Sequence, residues 1–377
     1  MNVTHDHTPA VLKIAAAPTA QAMPTAAVEL REVARVFMAR NCEYGFDVPP
    51  SIDSLDLPPF RPRFPWWSAD LQTIAVLLGT YQSDMSPHTS ERLCFCMADR
   101  SGDILVGMLD RPALPQAGRP LVVLVHGLTG CENSSHVLNA ARHLLDLGYR
   151  VLRLNLRGCG ASRPHCREHY HIGRTADFRR VLAQLPDDLT DQGVVAVGYS
   201  LGGAMLLKYL GEEGAFSPLR AAATICAPLD LVQTCEHMLR PRNWLYHNYI
   251  LADLKKETLG KGGKLSEEER EIVRMARTVR EYDDRFISPR YGFRGADDYY
   301  ELCTPLSYMP EIRVPTLVLA ASDDPWIPAG YYRDFKWSDN PSLLSVMAEG
   351  GGHLGFHSAD SDRPWCDTVL EKFLERV

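Results

Sequence analysis

Three stretches of the sequence carry the side-chain types that nucleophilic catalysis needs. Ser200 lies in GYSLGG at 198–203, Asp323 and Asp324 stand together further on, and His353 follows a run of three glycines. A serine hydroxyl is a weak nucleophile at neutral pH, so it needs a base within hydrogen-bond reach and a third group that orients the base. The order serine, acid, histidine therefore predicts acyl transfer through Ser200.

Each of these stretches also has a plainer interpretation. Ser200 can be an ordinary turn residue, and the carboxylate pair can simply end a strand. Spacing alone does not decide between Asp323 and Asp324 as the acid. His353 can be a surface residue of a glycine loop, and His357 is a second candidate for the base. The prediction of a catalytic site rests on the fact that each of the three stretches follows a predicted strand.

Acyl transfer also needs backbone N–H groups that bind the oxyanion. The residue after the nucleophile supplies one of them, which predicts the N–H of Leu201. The second comes from a loop after an earlier strand, and HGLTG at 126–130 directly follows the apolar run LVVLV. We therefore predict Leu128 as the second donor and His126 as a residue that braces this loop.

Apolar runs alternate with amphipathic stretches from about residue 91 onward, which indicates βαβ units and a mostly parallel sheet. The predicted strands are 121–127, 150–158, 194–198, 221–228, 314–321 and 342–351. The predicted helices are about 134–147, 174–185, 201–212, 329–337 and 363–376. Ser200, the carboxylate pair and His353 each follow a predicted strand, so they are expected at one edge of the sheet.

The alternation stops between Pro228 and Ile312. Ser266 and Glu269 form a capping-box pattern there, and apolar residues recur at helical spacing after it, which predicts a mainly helical insertion over the strand ends. The insertion carries an apolar and aromatic set that either lines an acyl pocket or packs the insertion onto the core. These candidates are Met238, Leu239, Trp244, Tyr246 and Tyr249.

Composition excludes several classes of function. The chain of 377 residues is 45% hydrophobic and 23% charged, with a net charge of −7 and a pI near 6.0. Its basic residues occur only in short groups such as Arg61-Pro-Arg63 and Arg240-Pro-Arg242, so no nucleic-acid partner is expected. No apolar run has the roughly 18–20 residues of a spanning helix, so no integral membrane segment is expected. Oligomeric state is left open.

Cysteine and histidine usage gives no sign of a metal site. The ten cysteines lack paired CxxC spacing and no secretion signal precedes them, which predicts reduced thiols and a cytoplasmic protein. His165, Cys166, His169 and His171 are interpreted as polar loop residues rather than ligands. No metal and no cofactor is expected. Residues 1–59 are expected to be an N-terminal extension, flexible up to about residue 28 and proline-rich beyond residue 41.

The motifs as a set resemble the α/β-hydrolase superfamily and, within it, the YheT-like branch. They are WWSADLQTI at 66–74, HGLTG, NLRGCG at 155–160, YHIG at 170–173, GYSLGG, DDYY at 297–300, ASDDPWIP at 321–328 and GGHLGF at 351–356. The resemblance covers about residues 60–377. It implies an α/β-hydrolase fold with a mostly parallel eight-stranded sheet, flanking helices and a helical cap at about 229–312.

The resemblance also implies a serine esterase-type triad. Ser200 matches the nucleophile and His353 the base, while the proline after the carboxylate pair favours Asp324 over Asp323. The implied substrate is a small-molecule or lipid ester. Three functions stay open: a carboxylic ester hydrolase, an alcohol O-acyltransferase or lipid and phospholipid acyl hydrolase with the same triad, and a non-catalytic binding protein.

Overall fold

The computed structural model describes residues 55–79, 84–260 and 263–377. Most of the predicted extension, residues 1–54, thus lies outside the described residues. The part that follows packs onto the main body. Leu55 is buried, and the indole N–H of Trp365 donates a hydrogen bond of 2.8 Å to the carbonyl of Pro58. The ring of Phe60 meets those of Phe356 and Trp365 edge-on.

An eight-stranded sheet forms the centre of the fold, as the resemblance implies. Its strands are β1 (Thr89–Cys96), β2 (Ile104–Arg111), β3 (Leu121–Val125), β4 (Arg150–Leu154), β5 (Val194–Tyr199), β6 (Ala221–Ile225), β7 (Thr316–Ala321) and β8 (Leu343–Ala348). Their order is β1-β2-β4-β3-β5-β6-β7-β8. β1 and β2 pair antiparallel, β2 also pairs antiparallel with β4, and β3 to β8 run parallel. The apolar pattern predicted six of these strands and missed β1 and β2.

The central strands are apolar throughout because helices cover both faces of the sheet. In β3, Val122 and Leu124 face one apolar core, and Leu121, Val123 and Val125 face the other. The helices outside the insertion are α1 (Ala69–Leu77), α2 (Ser135–Asp146), α3 (Thr175–Leu182), α4 (Asp187–Thr190), α5 (Leu201–Glu213), α12 (Gly330–Asp334) and α13 (Trp365–Leu374). Helices α2 and α13 pack on one face, and α3 and α5 on the other.

The segment between β6 and β7 is helical, as predicted. It contains α6 (Leu231–Met238), α7 (Trp244–Leu259), α8 (Glu267–Met275), α9 (Val279–Tyr282), a π-helical turn (Asp283–Ile287), α10 (Ser288–Tyr291) and α11 (Ala296–Cys303). Ser266 caps α8: its hydroxyl accepts from the Glu269 N–H at 3.1 Å, and the Glu269 carboxylate accepts from the Ser266 N–H at 2.7 Å. The capping-box prediction is confirmed. Short 3₁₀ turns occupy 160–165, 214–216, 241–243, 305–307, 309–311 and 337–339.

Helix length and cysteine state can be compared with the sequence predictions in the part of the chain that the structure describes. The longest helix in the described residues, α7, has 16 residues, and none of the described helices combines the length and apolarity needed to cross a bilayer. The nine cysteines in these residues are free thiols.

Candidate active site

The turn from β5 to α5 places Ser200 in a strained backbone conformation. Its φ of 49° and ψ of −120° are rare for a residue with a side chain. A hydrogen bond of 2.9 Å from the Ser200 N–H to the Ile225 carbonyl holds the turn. A Cβ atom at Gly202 would lie 2.4 Å from the His126 carbonyl oxygen, and one at Gly198 would lie 2.6 Å from the Gly202 carbonyl oxygen. The glycines are therefore needed because strand, helix and neighbouring loop meet at this serine.

The structure brings the three predicted side chains together. His353 Nε2 lies 3.0 Å from Ser200 Oγ, and His353 Nδ1 lies 2.8 Å from Asp324 Oδ2. His353 and Asp324 are buried, whereas Ser200 keeps contact with an open cavity. These two contacts let the imidazole accept the serine proton on one nitrogen while the carboxylate faces the other.

The two neighbouring aspartates have different positions. Asp324 Oδ1 accepts backbone hydrogen bonds from Trp326 at 2.8 Å and from Ile327 at 3.0 Å, which fixes its other oxygen toward His353. Asp323 Oδ1 instead accepts from the N–H of Gly352 at 2.9 Å. Burial raises the pKa of Asp323. Asp324 is thus the carboxylate at the imidazole, and Asp323 holds the glycine loop.

Two contacts of His353 were not predicted. Its backbone N–H donates to Thr73 Oγ1 at 2.9 Å, and the Trp326 ring stacks on its imidazole at 4.3 Å. Thr73 belongs to α1, which is capped by Ser68 through a hydrogen bond from the Leu71 N–H at 3.3 Å. The stretch WWSADLQTI contained Thr73, but no local pattern connects it with a histidine 280 positions later.

The loop after β3 borders the serine on the other side. A Cβ atom at Gly127 would lie 3.1 Å from Ser200 Cβ, and both Leu128 and Leu201 line the cavity at the serine. No hydrogen bond among the described residues uses the N–H of Leu128 or of Leu201. Two backbone donors thus remain available beside Ser200.

Two other histidines near the site have structural roles. The N–H of Leu156 donates to His126 Nε2 at 3.1 Å, so His126 Nδ1 carries the proton and donates to the Gly127 carbonyl at 2.8 Å. Burial lowers the pKa of His126 to about 4, which keeps it neutral. His126 therefore braces the loop, as predicted. The spare candidate His357 packs its ring against Trp66 at 5.5 Å, and burial lowers its pKa to about 4.

A cavity of about 500 Å³ extends from Ser200 between the sheet and the insertion. Of the five acyl-pocket candidates, Met238 and Tyr249 line it. Leu239 and Trp244 do not, because the insertion turns their side chains to the outer surface. Tyr246 also lies outside the lining: its hydroxyl donates to Asp70 Oδ1 at 2.7 Å and its ring meets Trp326 edge-on. The prediction is therefore wrong for these three residues.

The cavity wall formed by the insertion contains carboxyl groups. Asp253, Glu257 and Asp283 line it, and the described lining residues include no lysine or arginine. Burial raises the pKa of Glu257 to about 7 and that of Asp283 to about 7. Asp283 Oδ2 accepts from the Tyr300 hydroxyl at 2.7 Å. Such a wall offers no positive charge to an anionic ligand.

Histidine, cysteine and aspartate side chains near the site can be considered as possible metal ligands. Within the described residues, the donor atoms close enough to share an ion belong to Cys226, Asp324 and His353. Burial raises the pKa of Cys226 well above its usual value, which keeps the thiol protonated, and both nitrogens of His353 already have partners. In the predicted loop cluster, His169 Nδ1 accepts from Arg163 at 3.4 Å and His171 Nδ1 accepts from the Gly173 N–H at 3.2 Å.

Sequence comparison identifies the family. The alpha/beta hydrolase fold family matches residues 120–360. Phospholipase ABHD3 of Bos taurus is 31% identical over 263 residues, which cover 69% of this chain and 64% of that protein. The chain thus spans just under two thirds of the length of this relative.

Further relatives agree with this result. The medium-chain fatty acid ethyl ester synthase/esterase 2 of Saccharomyces cerevisiae is 30% identical over 70% of this chain and 63% of that protein. YheT of Escherichia coli is 31% identical over 70% of this chain and 79% of that protein. The solved Pyrococcus furiosus esterase Pf2001 shares the fold, with a TM-score of 0.51 at 17% identity over 78% of this chain and 94% of that chain. The chain belongs to the alpha/beta hydrolase fold family, in the branch that contains YheT.

Proposed function

We propose that the protein hydrolyses carboxylic esters through an acyl-enzyme formed on Ser200. The observation that carries this proposal is the continuous contact from Asp324 through His353 to Ser200, with spacings of 2.8 and 3.0 Å, at the floor of the cavity. Residues 60–377 would be the catalytic domain, with the insertion at about 229–312 as its cap.

In the first half of the reaction, Ser200 Oγ attacks the ester carbonyl carbon while His353 Nε2 takes the hydroxyl proton. Asp324 stabilises the imidazolium that forms. The N–H groups of Leu128 and Leu201 bind the negative oxygen of the tetrahedral intermediate. His353 then returns the proton to the leaving alkoxide, so an alcohol departs and the acyl group stays on Ser200.

In the second half, a water molecule attacks the acyl carbon and gives a proton to His353. Collapse of the intermediate releases the carboxylic acid and restores the Ser200 hydroxyl. An alcohol can replace water in this step, which would make the protein an alcohol O-acyltransferase. The name of the yeast synthase/esterase supports keeping this second activity as a candidate. No step requires a cofactor or a metal ion.

The cavity supports neutral ester groups as substrates. Its wall contains carboxyl groups and, in the described residues, no cationic side chain that would pair with a phosphate or carboxylate near the serine. Met238 and Tyr249 give the wall an apolar part that suits an acyl chain. The name of the bovine relative adds lipid esters, and phospholipids among them, to the candidate substrates.

A product analysis tests the proposal. The purified protein and its Ser200→Ala variant are given short-chain 4-nitrophenyl esters, with and without a competing alcohol. We expect turnover by the wild type, no turnover by the variant, and free acid as the main product. Transfer of the acyl group to the alcohol would favour the acyltransferase activity. Equal turnover by both proteins would contradict the role of Ser200, and failure of the wild type across a panel of esters and lipids would favour a non-catalytic binding protein.

A further inference from the structure

Helix α1 buries two polar side chains and exposes several apolar ones. Gln72 and Thr73 are buried, and hydrogen bonds satisfy them there: Gln72 Oε1 accepts from the His357 N–H at 2.7 Å and Thr73 Oγ1 accepts from the His353 N–H at 2.9 Å. The opposite face exposes Ile74, Leu77 and Leu78, and Leu78 is 70% exposed. The helix is apolar overall, and this arrangement leaves an apolar stripe in contact with water.

The exposed apolar surface continues into the segment before α1. The rings of Phe64 and Trp67 pack against each other at 5.1 Å, yet they are 79% and 60% exposed. Isolated exposed apolar residues are common on proteins, whereas a contiguous group marks an interaction site.

The insertion adds a second set of exposed apolar side chains. Leu239, Trp244, Leu245 and Tyr249 are exposed between the end of α6 and the first turns of α7, and Leu245 reaches 73%. Asp70 of α1 joins the two sets, since its carboxylate accepts from Arg242 at 2.9 Å and from the Tyr246 hydroxyl at 2.7 Å. Both sets therefore lie on the same side of the molecule.

Each set reaches the cavity, because Leu77 and Leu78 of the first set and Tyr249 of the second line it. We call the two sets together the apolar rim. Its members are Phe64, Trp67, Ile74, Leu77 and Leu78 from the first set and Leu239, Trp244, Leu245 and Tyr249 from the insertion.

The same two segments carry an excess of positive charge. Arg61 and Arg63 lie within three residues before Phe64, and Arg240 and Arg242 stand between Leu239 and Trp244. Arg63 pairs with Asp362 at 3.0 Å and Arg242 pairs with Asp70, whereas Arg61 and Arg240 are exposed. Two of these four arginines thus have no carboxylate partner among the described residues, on a chain whose net charge is −7.

We propose that the apolar rim docks onto an anionic lipid surface, so that lipid esters enter the cavity directly from that surface. Tryptophan and phenylalanine side chains insert at the headgroup level, and nearby arginines attract anionic lipids. A second copy of the chain is a poorer partner, because a two-fold contact would bring this arginine-rich surface against its own copy. The part of this proposal that concerns entry of lipid esters into the cavity rests on the proposed ester hydrolysis. The part that concerns docking on a lipid surface does not.

Binding to vesicles tests the docking. The full chain is sedimented with phosphatidylcholine vesicles that contain or lack phosphatidylglycerol, at low and high salt. We expect binding that requires phosphatidylglycerol and weakens with salt. The double variant Trp67→Ser, Leu245→Ser should lose at least about tenfold in vesicle affinity, since two exposed apolar side chains no longer insert. Its turnover of a soluble short-chain ester should be unchanged, because neither residue lines the cavity.

A matched control changes two apolar residues that are equally exposed but not part of the rim. Leu114 and Phe216 are 84% and 62% exposed, so the double variant Leu114→Ser, Phe216→Ser should bind vesicles like the wild type. An equal loss in both double variants would overturn the proposal. A wild-type protein that does not bind vesicles would also overturn the proposal. The same holds if the wild type does not bind vesicles but forms a dimer that the rim variant dissociates.

Ser200→Ala separates the docking from the proposed reaction. This variant should bind vesicles as tightly as the wild type while turning over no ester. Vesicle binding by a wild type that cleaves no ester would contradict the proposed function and support the docking. Ester cleavage without vesicle binding would overturn the docking alone.

Discussion

The backbone N–H of Thr129 donates a hydrogen bond of 2.8 Å to the hydroxyl of Tyr170. Thr129 has a φ of 55°, which is a strained value for a β-branched residue, and it directly follows Leu128. The Tyr170 hydroxyl in turn donates to Glu257 of α7 at 3.2 Å. Tyr170 thus holds the loop that carries one of the two proposed oxyanion donors, and it connects this loop with the insertion.

Replacing Tyr170 by phenylalanine should lower kcat about tenfold and leave KM nearly unchanged. The variant loses two hydrogen bonds, each worth about 1 kcal/mol: the one from the Thr129 N–H, which fixes the Leu128 N–H where negative charge develops, and the one to Glu257. Steady-state kinetics on a short-chain ester measure the effect. Tyr209→Phe is the matched control, because Tyr209 is a buried tyrosine that does not line the cavity. A rise in KM with kcat intact would contradict this role of Tyr170.

The two neighbouring aspartates should respond very differently to replacement by asparagine. Asp324→Asn removes the charge that faces His353 Nδ1, and it should lower kcat on the order of a thousandfold or more. Asp323→Asn keeps an oxygen that accepts from the Gly352 N–H, so we expect a change of only about threefold. The kcat values of both variants test this prediction. A larger loss in Asp323→Asn than in Asp324→Asn would reverse the assignment of the acid.

Glycine at the strand-to-helix turn should be required for stability. In Gly202→Ala the new Cβ atom would lie 2.4 Å from a backbone carbonyl oxygen, so the free energy of unfolding should fall by at least about 2 kcal/mol. Gly330→Ala is the control, since nothing lies within 4 Å of the added atom, and we expect a change below about 1 kcal/mol. Urea denaturation measures both. Equal stability of the two variants would contradict the close approach at the turn.

The site was predictable where its signals are local. The turn at Ser200 shows in the sequence because an apolar strand, glycines and helix formers follow one another directly. The contact of Thr73 with His353 and that of Tyr170 with Thr129 were missed, since each joins residues that only the tertiary fold brings together.

The errors in the fold have equally physical causes. Strand β1 was missed because it lies at the edge of the sheet and its first four residues are polar and exposed, so only its second half is apolar. In the insertion, the sequence pattern showed that aromatic residues recur at helical spacing. It did not show which face of each helix lines the cavity. Tyr249 lines the cavity, whereas Tyr246 contacts Asp70 and Trp244 faces outward.

The buried carboxyl of Asp283 should make stability depend on pH. Its pKa rises from 3.8 to about 7 in the folded chain, so between about pH 4 and 7 the folded state binds a proton that the unfolded state has lost. The contribution of Asp283 to the free energy of unfolding is therefore fully present near pH 4 and is lost as the pH rises to 7. Asp283→Asn cannot titrate, and it should become more stable than the wild type by a few kcal/mol between pH 5 and 8, since one pKa unit is about 1.4 kcal/mol.

Urea denaturation of the wild type and of Asp283→Asn at several pH values checks this prediction. The amide oxygen can still accept from Tyr300, so the variant should fold at all of them. A stability difference that stays constant from pH 5 to 8 would show that the carboxyl does not titrate in this range.

Covalent labelling with a fluorophosphonate tests the central claim most directly. The reagent reacts only with a serine hydroxyl that a neighbouring base has activated. We predict one phosphonyl adduct per chain, located on the peptide that contains Ser200, and no adduct after His353→Ala. Labelling at another serine, or no labelling of a folded wild-type protein, would contradict the account.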